Sequence, residues 1–257
     1  MAERPTVVAI GDSLTLGVGD GTQHPTGDVG WAAHTAYALG AAAFANLAEN
    51  GTRARDLTRS QVAAAVAVHP DVVLASAGGN DVLRGDFDAA EVEQALRGAL
   101  ATLAAPRRRI LVLTIDRIGL FDLLPSPVTA VMARRIAAAN GAIVAAAHAA
   151  GATLVHGGAV FSDAGPRAWH IDRIHPSPLG HRRLAAAAVH ELRADWPLVH
   201  PVPDPPRPPR VHARAWWLVR NGAPWAVKRS RDLIPQVARV VTHELLEERR
   251  AQRPVRA

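Results

Sequence analysis

The chain has 257 residues, 49% hydrophobic and 20% charged, which suits one α/β domain with a full core and a smaller appendage. It has no cysteine, so disulfides, thiolate metal sites and a cysteine nucleophile are excluded. The net charge of +6 is uneven: residues 207–257 hold twelve basic and four acidic residues, and residues 1–206 carry a net −2. The basic character therefore bears on what the tail touches, not on the substrate of the main body. The N-terminus is charged and its apolar run is too brief for a signal core, and no stretch reads as the run of about 18 apolar residues that spans a bilayer. The expected location is cytoplasmic.

Five short apolar or β-branched runs read as strands, at residues 6–10, 43–47, 71–76, 110–114 and 153–156. Helical patterns fill the intervals at 31–39, 55–68, 88–103 and 127–150, and 179–195 makes a closing helix. Asp88 with Glu91 reads as a capping box, and Pro106 ends that helix. Alternation at this spacing predicts a parallel five-stranded sheet between two helical layers, a three-layer α/β/α sandwich. Seven prolines between 197 and 209 break the pattern. The expected division is therefore a domain at 1–196, a stiff linker at 197–210 and a basic extension at 211–257 with helices at 211–219 and 232–250. That extension carries Trp216, Trp217 and Trp225, half of the six tryptophans.

In parallel sheets reactive groups sit just past the carboxyl ends of the strands, so clusters directly after a strand matter most. Gly11-Asp12-Ser13-Leu14 follows the first strand and would aim a serine hydroxyl into the crevice. A hydroxyl needs a base to become a nucleophile. His175, in Asp172-Arg173-Ile174-His175-Pro176, is the candidate, with Asp172 three residues earlier to fix its tautomer. Three donors could meet the oxyanion of an acyl intermediate: the Ser13 N–H, the Gly51 N–H after the second strand and the Asn80 side-chain amide after the third. Asp12 is expected to brace the serine turn, and Asp81 to cap the segment that follows it.

These residues resemble the SGNH hydrolases, the GDSL esterase/lipase family. Gly11-Asp12-Ser13-Leu14 is similar to its first block, Asn46-Leu47-Ala48-Glu49-Asn50-Gly51 to the second, Gly79-Asn80-Asp81 to the third and Asp172-Arg173-Ile174-His175-Pro176 to the fifth. Each block alone is weakly specific; four in this order and spacing are strongly so. The resemblance covers about residues 6–195. It implies a flavodoxin-like fold, no metal or other cofactor, and hydrolysis of esters through an acyl-enzyme, with no one substrate. Carboxylic esters are the expected substrates; a sugar O-deacetylase, thioesterase or lysophospholipase would use the same residues, and an inert binding module on the same fold is the rival from another class.

Other motifs fall short. His170, Asp172, His175 and His181 lack the arrangement of a metal site. His243-Glu244-Leu245-Leu246-Glu247 misses the second histidine of a zinc protease, and Gly17-Val18-Gly19 misses the third glycine of a dinucleotide fingerprint, Thr22 standing in its place. No G-x-S-x-G elbow occurs. Leu120, Phe121 and Leu124 are candidates for the acyl pocket, with His24, Trp31 and Arg117 as further neighbours; core packing is the alternative for each. The basic extension has three readings: helices packed back on the domain, peripheral contact with an anionic membrane, or a charged partner. No nucleic-acid motif favours the last, and the oligomeric state is not legible.

Overall fold

The computed structural model describes residues 4–21, 29–115, 118–207 and 233–251, together with His212 and Trp216. Five parallel strands lie in the order β2-β1-β3-β4-β5: β1 (Thr6–Ile10), β2 (Ala43–Asn46), β3 (Val72–Ser76), β4 (Arg109–Leu113) and β5 (Thr153–Val155). This is the doubly wound flavodoxin-like order, whose direction reverses between β1 and β3 and leaves a crevice there. The central strands are apolar throughout because both faces are covered. Alternation divides their side chains. Val8, Ile10, Val73, Ala75 and Val112 join one core cluster, while Val7, Ala9, Val72, Leu74 and Leu113 join the other.

The first face is covered by α3 (Leu57–Ser60), α4 (Val62–Ala67), α5 (Ala89–Leu103) and α6 (Ser126–Ala149). The second is covered by α2 (Gly30–Ala38), α7 (Gly157–Ala164) and α8 (Pro178–Leu192). The four-residue α1 (Ser13–Leu16) opens directly after β1.

Three local readings are corrected. The helix expected over 55–68 is broken into a 3-10 turn, α3 and α4, with the joint at Gln61. Asp88 caps α5 alone, accepting from Ala90 N–H at 2.8 Å, while Glu91 pairs with Arg55 at 3.2 Å. α7 was not anticipated. In addition, α6 is long and apolar enough by length and composition to cross a membrane, although Arg134 and Arg135 interrupt it. Half of its most apolar stretch is buried, and it packs on α5 as a core helix.

The chain after Trp196 lies against the domain. Val199 and His200 N–H both donate to the Ala38 carbonyl, and the His200 ring stacks on Tyr37 at 4.5 Å. The last helix, α9 (Leu233–Ala251), packs back on the domain. Val237, Val240 and Val241 are buried with Val82, Ile118, Phe121, Val131 and Met132. A fully buried valine contributes about 1.5 kcal/mol or more, so these three are the main apolar anchors of the helix on the domain. Glu244 adds an ion pair to Arg135 at 2.6 Å. Of the helix expected at 211–219, His212 and Trp216 are described, and Trp216 is exposed. Trp217 and Trp225 lie outside the described residues.

Candidate active site

Ser13 stands where β1 ends. Gly11 has φ +140°, and a Cβ there would lie 2.4 Å from the Ser76 carbonyl, so only glycine lets this turn cross the end of β3. Gln61, buried, grips the same peptide from α4's start: Gly11 N–H donates to its Oε1 at 2.6 Å, and its Nε2 donates to the Gly11 carbonyl at 3.0 Å. Asp12 caps α1 by accepting from Leu14 N–H at 3.0 Å, and the Ser76 hydroxyl donates to it at 3.1 Å. Burial pushes the Asp12 carboxyl up from its usual range against those hydrogen bonds. The aspartate thus braces the turn from the edge of the cavity beside Ser13.

His175 lies across the crevice. Its Nδ1 is 2.8 Å from Asp172 Oδ2 and its Nε2 is 2.9 Å from Ser13 Oγ. A carboxylate can only accept, so Nδ1 carries the proton, Nε2 accepts and the serine hydroxyl donates. Asp172 Oδ1 accepts the N–H groups of Ile174 at 2.9 Å and His175 at 3.0 Å. Arg173, between them, takes the left-handed φ of +57° that folds the loop around the carboxylate. Burial alone would raise the Asp172 carboxyl. Its bonds to His170 and His175, the charge of His175 and the His175 N–H outweigh that and hold it well below the usual carboxylate range.

The loops carrying the other candidates are tied together. Asn80 Nδ2 donates to the Thr52 carbonyl at 3.0 Å, one residue from Gly51. Asp81, expected to cap the segment that follows it, turns the other way: it accepts the buried Ala54 N–H at 3.0 Å and the half-buried Arg53 Nε at 3.1 Å. Gly51 has φ +87° and open space where a Cβ would stand.

A cavity of about 70 Å³ opens beside Ser13, lined by Leu14, Asn80, Leu83, Ile115, Ile118, Phe161, Trp169, Ile174 and His175. Ser13, His175 and Asn80 therefore share one space; Gly51 does not line it. Neither do Leu120, Phe121 and Leu124. Phe121 is buried under α9, Leu120 packs on the same cluster, and Leu124 is exposed on the surface. Trp31 is wholly buried in the core, while His24 and Arg117 lie outside the described residues. The apolar lining of this cavity comes from Leu14 after β1, Leu83 after β3, Ile115 and Ile118 after β4, Phe161 and Trp169 in and after α7, and Ile174 beside His175. For Leu14, Leu83 and Ile174, a position in or beside a motif was the available signal. Among the described residues no group of three or more histidines and carboxylates is placed to hold a metal ion.

Comparison with known proteins bears on the family and the fold. Residues 9–183 match the model of the GDSL-like lipase/acylhydrolase family. No curated protein matches the chain. Among solved structures, an acetyl xylan esterase of Geobacillus stearothermophilus, Axe2, is 24% identical, with TM-score 0.60, over 75% of this chain and 96% of that one. LAE5, an alpha/beta hydrolase enzyme from the metagenome of Lake Arreo, Spain, is 24% identical with TM-score 0.60, over 76% of this chain and 96% of its own. At this identity the solved structures speak for the fold, whereas the family match spans most of the chain. The chain belongs to the GDSL-like lipase/acylhydrolase family and is a carboxylic ester hydrolase.

Proposed function

We propose that the protein hydrolyses short-chain carboxylic esters through a covalent acyl-enzyme on Ser13. The observation that carries this reading is the continuous path Asp172–His175–Ser13, at 2.8 and 2.9 Å, ending in a small apolar cavity. Ser13 Oγ attacks the ester carbonyl as His175 Nε2 takes its proton, and Asp172 stabilises the imidazolium. The N–H groups of Ser13 and Gly51 and the Asn80 amide meet the oxyanion. The imidazolium then protonates the departing alcohol oxygen. In deacylation His175 removes a proton from water, the hydroxide releases the carboxylic acid, and the proton returns to Ser13 Oγ.

Size favours a short acyl group. The space beside Ser13, about 70 Å³, is roughly half of the ~150 Å³ cavity that takes up a benzene molecule, which suits a small acyl group such as acetyl. An acetyl ester of a carbohydrate is the substrate class we infer, in keeping with the name of the solved Geobacillus esterase. Turnover of p-nitrophenyl esters from acetate to palmitate tests both parts. Acetate is expected to lead the series, and Ser13→Ala to abolish turnover while the fold persists. Retained activity in that variant overturns the serine assignment, and palmitate in the lead overturns the acyl-length assignment.

A further inference from the structure

Two different hydrophobic clusters bound the cavity beside Ser13. Leu14, Phe161 and Trp169 belong to the core of the α2 and α8 face. Leu83, Ile115, Ile118 and Ile174, which form the other wall, belong to the cluster that α9 completes with Val237, Val240 and Val241. A close-packed wall holds its position only while its outer side is filled. Here the filling comes from a helix that begins fifty residues after the family match ends at residue 183.

A second, polar link runs from α9 to the same place. Arg135 is buried on α6. Its Nε donates to the Val82 carbonyl at 2.9 Å, its Nη2 to the Arg84 carbonyl, and its face lies over the Phe87 ring at 4.7 Å. Glu244 of α9 supplies its counter-charge at 2.6 Å. Those carbonyls belong to the turn that begins at Asn80 and carries Leu83 into the cavity. The extension thus grips both the apolar wall and the turn of the proposed oxyanion donor.

We propose that α9 is a specificity-determining element of this hydrolase. It keeps the wall of the acyl pocket closed to long chains, and through Glu244 and Arg135 it positions the Asn80 turn. This rests on the reading of the cavity as the acyl pocket. Val237, Val240, Val241, Arg135 and Glu244 touch no reacting atom and act by positioning.

The test uses the full chain and kcat/KM for p-nitrophenyl esters from acetate to octanoate. Val240→Ala with Val241→Ala should let the wall relax outward and raise the octanoate-to-acetate ratio about tenfold, the scale of one or two methylenes in an apolar pocket. If that pair melts too low to assay, Val237→Ala asks the same question with less packing lost, and a raised ratio is again expected. Glu244→Gln keeps the apolar contacts and should lower kcat on acetate by about tenfold, leaving the chain-length order unchanged. A folded valine variant with the wild-type profile overturns the proposal. Fluorophosphonate labelling of each variant separates the two levels. Label on Ser13 with an unmoved profile sinks the role of α9 alone, whereas no label on Ser13 sinks the serine reading and this proposal with it.

Discussion

Among the described residues two aspartate–histidine pairs have the same length, Asp172–His175 and Asp20–His34, each at 2.8 Å. They differ in what surrounds them. In the first, the far imidazole nitrogen meets the Ser13 hydroxyl at the edge of a cavity. In the second, both side chains are sealed in the core, and Asp20 also takes the Gly30 N–H at 2.8 Å and the Arg182 guanidinium at 2.7 Å. A short carboxylate–imidazole contact is therefore no sign of chemistry in itself. Access, and a nucleophile on the far nitrogen, distinguish a reactive pair from a structural one. Arg182 also reaches the Asp204 carbonyl, so the sealed pair ties the proline-rich segment to the core.

The two pairs should respond differently to the same substitution. Asp172→Asn is expected to lower kcat about 10⁴-fold, because the imidazole loses its tautomer control, and to cost some stability as well, because the fold favours that carboxylate ionised. Steady-state assays beside thermal melts measure this. Asp20→Asn should act on stability alone, costing about 3–5 kcal/mol by leaving Arg182 buried without its carboxylate, while turnover per folded molecule stays near wild type. Denaturant titration reads the first quantity. A loss of turnover that matched Asp172→Asn would erase the distinction drawn between the pairs. Asn80→Ala should cost about 10²–10³ in kcat if the amide meets the oxyanion, and much less if it serves only to hold Thr52.

A second buried histidine, His181, sharpens the contrast by pH. His181 accepts Trp31 N–H on Nδ1 at 3.2 Å and donates from Nε2 to the Val18 carbonyl at 3.0 Å, so the fold uses its neutral form. Burial, with the nearby charges of His34 and His175, lowers its pKa from 6.5 to about 4, against the opposing pull of the Val18 carbonyl and Asp20. Above pH 6.5 the ring is neutral in both folded and unfolded chains and the shift has no effect. As pH falls from 6.5 to 4 the unfolded chain takes up a proton that the fold refuses, and stability should drop by up to about 3 kcal/mol. Urea titrations across that window would show the acid limb, and His181→Asn should flatten it.

How much of this was legible in the sequence follows from the range of the interactions. β1 ends where the apolar run does, and each of the other strands falls within a residue of its expected bounds, because burial on both faces leaves few polar interruptions. Asp172 and His175 could be read as a pair because three residues of one loop hold them together. The break at Gln61 could not, since its cause is the Gly11 peptide fifty positions away. Leu120, Phe121 and Leu124 failed as pocket residues for a similar reason. An apolar turn after a strand suits a substrate or a core equally, and the helix that buries Phe121 comes more than a hundred residues later.

The central claim is that Ser13 forms the covalent intermediate. Intact mass and peptide mapping after reaction with a fluorophosphonate test it most directly. The account predicts one adduct, on Ser13, that disappears in Ser13→Ala and slows sharply in Asp172→Asn. An adduct on another residue, or none on a folded and esterolytic protein, would contradict it.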